Sequence, residues 1–298
     1  MIQTARQLKD KIRNLAKEKS ADAQTLMRIY MMERFLERVS LSDYRNHFIL
    51  KGGALIASLV GIDFRSTMDI DTTIKGLPVR EADVEQMVLD IIGMACTDGV
   101  LFRITKIQSI MDEAEYPGIR VNLQALFDKT VTPLKLDVST GDVITPGAVH
   151  YQYELMFENR HIPLLSYNLE TVLAEKLETI VRRHVANTRM RDFYDIYILT
   201  KIYGTEISHD VLYAALQATS RRRGSTEQLK LAYTALDEIG RSDEMEKFWT
   251  SYRAHYDYAK NITWSDIMTA VQSVYPVKDE HRETLNQPHE RHTSDTKL

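Results

Sequence analysis

Residues 48–74, FILKGGALIASLVGIDFRSTMDIDTTI, hold two glycines and, further on, two aspartates of a kind that could handle a phosphorylated ligand. Gly52 and Gly53 stand between two apolar segments, so a strand is predicted to end in them and a helix to begin at once. Glycine lets the backbone approach a ligand closely, and a helix N-terminus offers unpaired N–H groups to an anion. A plain tight turn would use the same residues. In Asp69-Ile70-Asp71, residues two apart on a strand share a face, so both carboxylates point one way. Such a pair repels itself and raises its own pKa values unless a cation sits between the two groups. Mg²⁺ prefers carboxylate and phosphate oxygens, so the pair suits a metal–nucleotide site. The alternative is a solvent-facing edge strand that carries two charges.

Three more sites of interest lie downstream. In Leu134-Lys135-Leu136-Asp137-Val138 the apolar residues alternate, leaving Lys135, Asp137 and Ser139 on the other face. If this strand neighbours the one with Asp69 and Asp71, Asp137 makes a third carboxylate, and such a cluster holds two metals. Otherwise it is a polar residue on a half-exposed strand. Lys176 falls within the apolar arc of a helix formed by Leu169, Val172, Leu173, Leu177 and Ile180. Lysine is almost never buried without a partner, so it either meets phosphates as a point charge or snorkels to water. Asp192 and Asp195, three apart, share a helix face that continues through apolar residues. They either belong to a site or serve as a cap and a complement to the helix dipole.

The elements that must position these groups fall in three zones. Residues 1–42 are predicted helical, with Leu26, Ile29, Tyr30, Phe35 and Leu36 in the apolar stripe. Residues 43–165 are mixed: strands at 48–50, 68–74, 101–107, 119–126 and 134–138, a helix from Ala54 to Val60 and another from Glu81 to Met94. Residues 166–276 are helical again, and 277–298 form a polar tail predicted to be disordered. The fold class is therefore α/β (α+β), a mixed-sheet core with N-terminal helices and a helical C-terminal domain.

Composition narrows the partners. The 298 residues carry 38 Lys+Arg against 42 Asp+Glu, a net charge of −4, so nucleic acid could be met only through a local basic face. Arg182, Arg183, Arg189 and Arg191 could form one; Arg221-Arg222-Arg223, beside Gly224, is predicted to be a solvated loop. One cysteine, Cys96, fits a reducing cytoplasm. No signal-peptide core is present at the N-terminus, and the longest largely apolar run, 54–62, is far short of the ~20 residues a membrane span needs. A cytoplasmic protein without membrane contact is expected. P-loop, kinase, G-x-S-x-G and C-x-x-C signatures are absent from the sequence.

Taken in order, Lys51-Gly52-Gly53-Ala54, Arg65-Ser66-Thr67-Met68-Asp69-Ile70-Asp71, Lys135-Leu136-Asp137, Ala174-Glu175-Lys176-Leu177 and Arg191-Asp192-Phe193-Tyr194-Asp195 are similar to the AbiEii/AbiGii family of nucleotidyltransferase-like toxins. That family is associated with abortive infection and bacterial type IV toxin–antitoxin systems. The resemblance runs over residues 45–200, and residues beyond about 205 match nothing. It implies a DNA polymerase β-like nucleotidyltransferase core. It also implies that Asp69, Asp71, Lys176 and Asp192 are catalytic, and that Gly52, Gly53, Arg65, Thr67, Lys176 and Asp195 bind the nucleotide. Asp69, Asp71 and, more loosely, Asp137 would hold Mg²⁺ or Mn²⁺.

The implied reaction moves a nucleoside monophosphate from an NTP to an RNA hydroxyl, with the tRNA 3′ end as acceptor and a cognate antitoxin as a further partner. A protein acceptor (AMPylation) and a non-catalytic nucleotide-binding regulator are the competing readings.

Overall fold

Asp69-Ile70-Asp71 lies on an interior strand, flanked by one strand that precedes it in the chain and one that follows. The computed structural model describes residues 2–61, 63, 65, 67, 69–111 and 117–275. The polar tail therefore lies outside the described residues, as do Ser66 and Met68 of the aspartate motif. The chain begins with two helices, α1 (Ala5–Lys19) and α2 (Ala23–Leu41), started by Thr4 and Asp22, whose side chains accept from Gln7 N and Thr25 N. There follow β1 (Phe48–Lys51), α3 (Gly52–Val60), β2 (Asp69–Ile74), α4 (Glu81–Ile92), β3 (Leu101–Met111), β4 (Pro117–Phe127) and β5 (Thr130–Thr140). A hairpin of β6 (Val149–Glu154) and β7 (His161–Ser166) comes next. The helical part comprises α5 (Leu169–Arg183), α6 (Met190–Tyr203), α7 (His209–Arg223), α8 (Thr226–Lys230), α9 (Ala232–Gly240), α10 (Asp243–His255) and α11 (Trp264–Val274).

Among the described residues the sheet has seven strands in the order β3-β4-β5-β2-β1-β7-β6. β5 pairs with β2 in parallel, and β2 pairs antiparallel with β1. This removes the edge-strand alternative for the two aspartates and makes Asp137 their neighbour. The β6–β7 hairpin was not foreseen strand by strand, and β7 lies parallel to β1. It has few apolar positions in strict alternation; only Tyr153, Ile162 and Leu164 are buried among its hydrophobic residues.

One sheet face is apolar. Ile70 and Ile74 of β2, Leu134, Leu136 and Val138 of β5, and Ile119, Val121 and Leu123 of β4 are all buried on it, and α2 packs against β5 and β7 on that side. Each such side chain contributes about 1.5–3 kcal/mol on burial, which fixes the register, since a slip by one residue would turn every aspartate into this core. The other face is left to polar residues. At the β4–β5 turn Asp128 adopts φ 50°, and its carboxylate accepts from Ala5 N at 2.8 Å, which ties α1 to the sheet.

The arginine run 221–223 corrects the sequence expectation. It is the last turn of α7, where positive side chains suit the helix dipole, not a solvated loop. Arg223 turns inward to Glu178 (2.7 Å), and Arg222 Nε donates to Gly141 O (3.0 Å).

Candidate active site

The polar sheet face carries a row of charges set by strand register. Lys51 on β1 is opposite Asp71 on β2, Asp71 is opposite Asp137 on β5, and Asp137 is opposite Arg120 on β4. The two cations at the ends of this row are already engaged. Arg120 grips Asp137 through Nε–Oδ1 and Nη2–Oδ2 contacts of 2.7 Å each. Lys51 Nζ lies 2.5 Å from Asp142 Oδ2, which also accepts from Ser139 Oγ and Tyr167 OH. Burial alone would raise the Asp142 carboxyl, but the Lys51 charge and these three donors outweigh it and hold it below the usual carboxylate range.

Asp71 is the member of the row with no ion pair among the described residues. Its Oδ2 accepts from Gly53 N at 3.1 Å, and Asp69 beside it reaches Lys135 Nζ only at 3.8 Å. Burial pushes Asp71 up to about 6; Asp137 and Asp69 add to the shift, while the Gly53 N–H and Lys51 oppose it. Burial is the larger cause and the neighbouring carboxylates the smaller, and the two acids have only the long Lys135 contact as an ion pair, so the residues fit a divalent ion at Asp69 and Asp71. No three His, Cys, Asp or Glu side chains converge as a metal-holding group among the described residues. Asp137 is near, but its carboxylate is occupied by Arg120.

The glycines make the close approach possible. Gly52 has φ 62°, a left-handed conformation, and a Cβ there would collide with the Asp71 carboxylate. A Cβ on Gly53 would stand 2.8 Å from Thr67 Oγ1 and 3.2 Å from Arg65 Nη2. The space above both glycines is therefore filled by the chain's own site residues. Thr67 Oγ1 also donates to Asp69 O at 3.3 Å, which steadies the entry into β2.

Behind the turn, Arg65 is buried and donates from Nε to Asp195 Oδ1 at 2.8 Å. Asp195, fully buried, also takes Lys176 Nζ on Oδ2 at 2.8 Å, and Lys176 reaches Asp192 Oδ1 at 2.8 Å. Burial would weaken the Lys176 charge, but the two aspartates outweigh it and raise its pKa. Burial would raise the Asp195 carboxyl, but Lys176 and Arg65 outweigh it and hold it below the usual carboxylate range. The Lys176 side chain is 14% exposed, so partnering, not snorkelling, explains its place in the apolar arc. Asp192 contacts Lys176 and Arg189 (3.2 Å), so its side chain serves an ion-pair network, not a cap. The helices carrying these groups are docked on the turn: Tyr203 OH of α6 donates to Leu59 O of α3 at 2.7 Å.

Sequence reasoning gave no role to Lys51, Arg120 or Asp142. Lys51 stood next to the glycines, and Arg120 sat on the polar phase of an alternating strand, but neither has a signal without the pairing of β4, β5, β2 and β1. A basic surface borders the site from α5 and α6. Burial and the neighbouring Arg223, Arg183 and Arg189 lower the pKa of Arg182. Arg189 and Arg191 are exposed. A separate cavity of about 580 Å³, lined by Ile12, Met27, Arg28 and Val131 among others, opens at the start of β5, roughly 13–23 Å along the strand from Asp137 by the strand rise. No helix of the described residues is long and apolar enough to cross a membrane.

The family model of nucleotidyl transferase AbiEii toxins of type IV toxin–antitoxin systems matches residues 34–272, extending well beyond the 45–200 span of the sequence resemblance. Among solved structures, JHP933 from Helicobacter pylori has a TM-score of 0.48 at 17% identity, over 89% of this chain and 97% of that one. A candidate nucleotidyltransferase of the same species has a TM-score of 0.47 at 17% identity, over 90% of this chain and 100% of that one. At these values neither likeness adds an argument about the site. No curated protein matches the chain. With the family model spanning most of the sequence, the chain belongs to the AbiEii family of nucleotidyl transferase toxins.

Proposed function

We propose that this nucleotidyltransferase transfers a nucleoside monophosphate from an NTP to a hydroxyl at the 3′ end of an RNA, with tRNA as the acceptor. The observation that carries the reading is the pair Asp69–Asp71, held against the Gly52–Gly53 turn and lacking a fixed counter-cation, with Lys176 and a basic surface behind it. Asp69 and Asp71 are the residues for Mg²⁺ or Mn²⁺. Bound there, such an ion supplies neutralisation of the charge on the reacting phosphate.

The chain's own groups then do the positioning. Lys176 has three N–H donors; Asp192 and Asp195 take two, which leaves one for a phosphate oxygen on its exposed side. Arg65 and Thr67 keep the α3 turn and the start of β2 in place, and Asp195 holds Arg65 and Lys176 together. Arg182, Arg183, Arg189 and Arg191 favour a polyanion at the rim next to Asp192, which supports a nucleic-acid acceptor over a protein. In the reaction the RNA hydroxyl oxygen bonds to the α-phosphorus and loses its proton, while the bond to the bridging oxygen breaks and pyrophosphate leaves. Membership of a type IV toxin family also implies a cognate antitoxin.

The test is incubation of the protein with each α-³²P-labelled NTP, Mg²⁺ and total bacterial tRNA, beside an Asp69→Asn/Asp71→Asn variant. Label in tRNA with wild type alone is expected. Label in protein would replace the acceptor; NTP binding without label in any acceptor would favour a regulator.

A further inference from the structure

We infer that Arg120 sets the number of divalent cations the site holds, by occupying the third carboxylate, so that the site takes a single cation at Asp69 and Asp71. The inference rests on the reading of those two aspartates as metal ligands and adds to it a role for a residue outside the family motifs.

The argument starts from the row across the sheet. Three carboxylates, Asp69, Asp71 and Asp137, lie on two neighbouring strands of one face, an arrangement that would suit two metals. The structure distributes positive charge unevenly over them. Arg120 meets both oxygens of Asp137 side-on at 2.7 Å, the two-pronged geometry in which a guanidinium binds a carboxylate most strongly. A guanidinium does not deprotonate, so this charge is permanent. It is also held by the sheet: Arg120 and Asp137 are register partners on paired strands, and Ile119 and Val121 on either side of Arg120 are buried in the core.

At the other end of the row Lys51 is committed to Asp142. A cation arriving at Asp71 thus finds a carboxylate held by a single backbone N–H, beside Asp69 with only a 3.8 Å contact to the half-exposed Lys135, whereas one arriving at Asp137 meets a fixed positive charge on both oxygens.

The experiment is a titration of the full chain with Mn²⁺ in the absence of nucleotide, with free Mn²⁺ read by its EPR signal. Wild type is expected to bind one equivalent, and Asp71→Asn to lose it. Arg120→Gln is expected to gain a second equivalent, while Arg120→Lys, which keeps the charge, stays at one. Asp137→Asn also stays at one. Two equivalents on wild type, falling to one in Asp137→Asn, would overturn the inference while leaving the metal reading intact. So would a folded Arg120→Gln that still binds one. Where Arg120→Gln does not fold, the wild-type, Arg120→Lys and Asp137→Asn stoichiometries decide alone. No Mn²⁺ on wild type would overturn the metal reading and this inference with it.

Discussion

Asp71 and Asp137 face each other across β2 and β5, yet only Asp137 has a guanidinium on its carboxylate. The two acids are alike in sequence context, each on the polar phase of an alternating strand. Their surroundings make one an ion-pair partner and leave the other without one among the described residues, and the proposed cation site rests on that inequality.

Folding lifts Asp71 from 3.8 to about 6. A raised carboxyl favours the fold while protonated, so its contribution is present below pH ~4 and lost as pH rises through ~6. At pH 7.5 the ionised Asp71 destabilises the metal-free protein. Asp71→Asn should therefore gain on the order of 2–3 kcal/mol at pH 7.5, with the gain vanishing near pH 4, and lose transfer by about 100-fold or more. Urea melts at the two pH values, beside the labelled-tRNA assay, check both halves; a variant less stable than wild type at pH 7.5 would refute the first.

Glu33 of α2 offers a second pH window. Burial pushes its carboxyl up to about 8, against the Met156 N–H and Arg34. Its contribution is again present at low pH and lost as pH rises to ~8. Between pH 7 and 8, where Asp71 is already ionised and adds almost no slope, wild-type stability should fall by about 1 kcal/mol per pH unit. Glu33→Gln should flatten that segment. Parallel slopes for the two proteins would contradict the assignment.

The buried network predicts an asymmetry. Asp195→Ala takes from buried Arg65 and Lys176 the acid they share, leaving Lys176 with Asp192, at a cost of about 3–5 kcal/mol. Lys176→Met leaves Asp195 still paired with Arg65, so it should cost less stability and more NTP affinity. Denaturation curves and nucleotide-binding titrations of both variants separate the two effects; equal destabilisation would show that Arg65 does not hold Asp195 alone.

Gly52 and Gly61 both have positive φ, but only Gly52 lies against a side chain. Gly52→Ala should add displacement of Asp71 to a backbone penalty of about 1–2 kcal/mol, and so lose Mn²⁺ affinity as well as stability. Gly61→Ala should lose stability alone. Unchanged Mn²⁺ binding in folded Gly52→Ala would break the link between the turn and the carboxylate.

Arg189→Gln and Arg191→Gln should each weaken tRNA binding without sequence preference. Each should also reduce the slope of log affinity against log salt by ~0.7 per lost phosphate contact. Fluorescence anisotropy across a salt series measures this, and an unaltered slope in both variants would move the acceptor elsewhere.

The period-two pattern of β2 and β5 determined by itself that Asp69 and Asp71 share a face and that Asp137 opposes a buried stripe. Helical period did the same for Lys176 on α5 and Asp192 and Asp195 on α6, and the motif order was enough for the family resemblance. Local pattern says which side of a strand a residue takes, because that depends only on backbone geometry and burial. It does not say which strand lies beside which. Only the tertiary structure placed β5 parallel to β2, β4 next to β5, and β1 on the other flank. That pairing made Arg120, Asp137, Asp71 and Lys51 a single row, and folded α7's arginines and Asp142 in around it. Strand neighbours are chosen by how the whole apolar face closes over α2 and how the crossovers fit, so no segment carries the information alone.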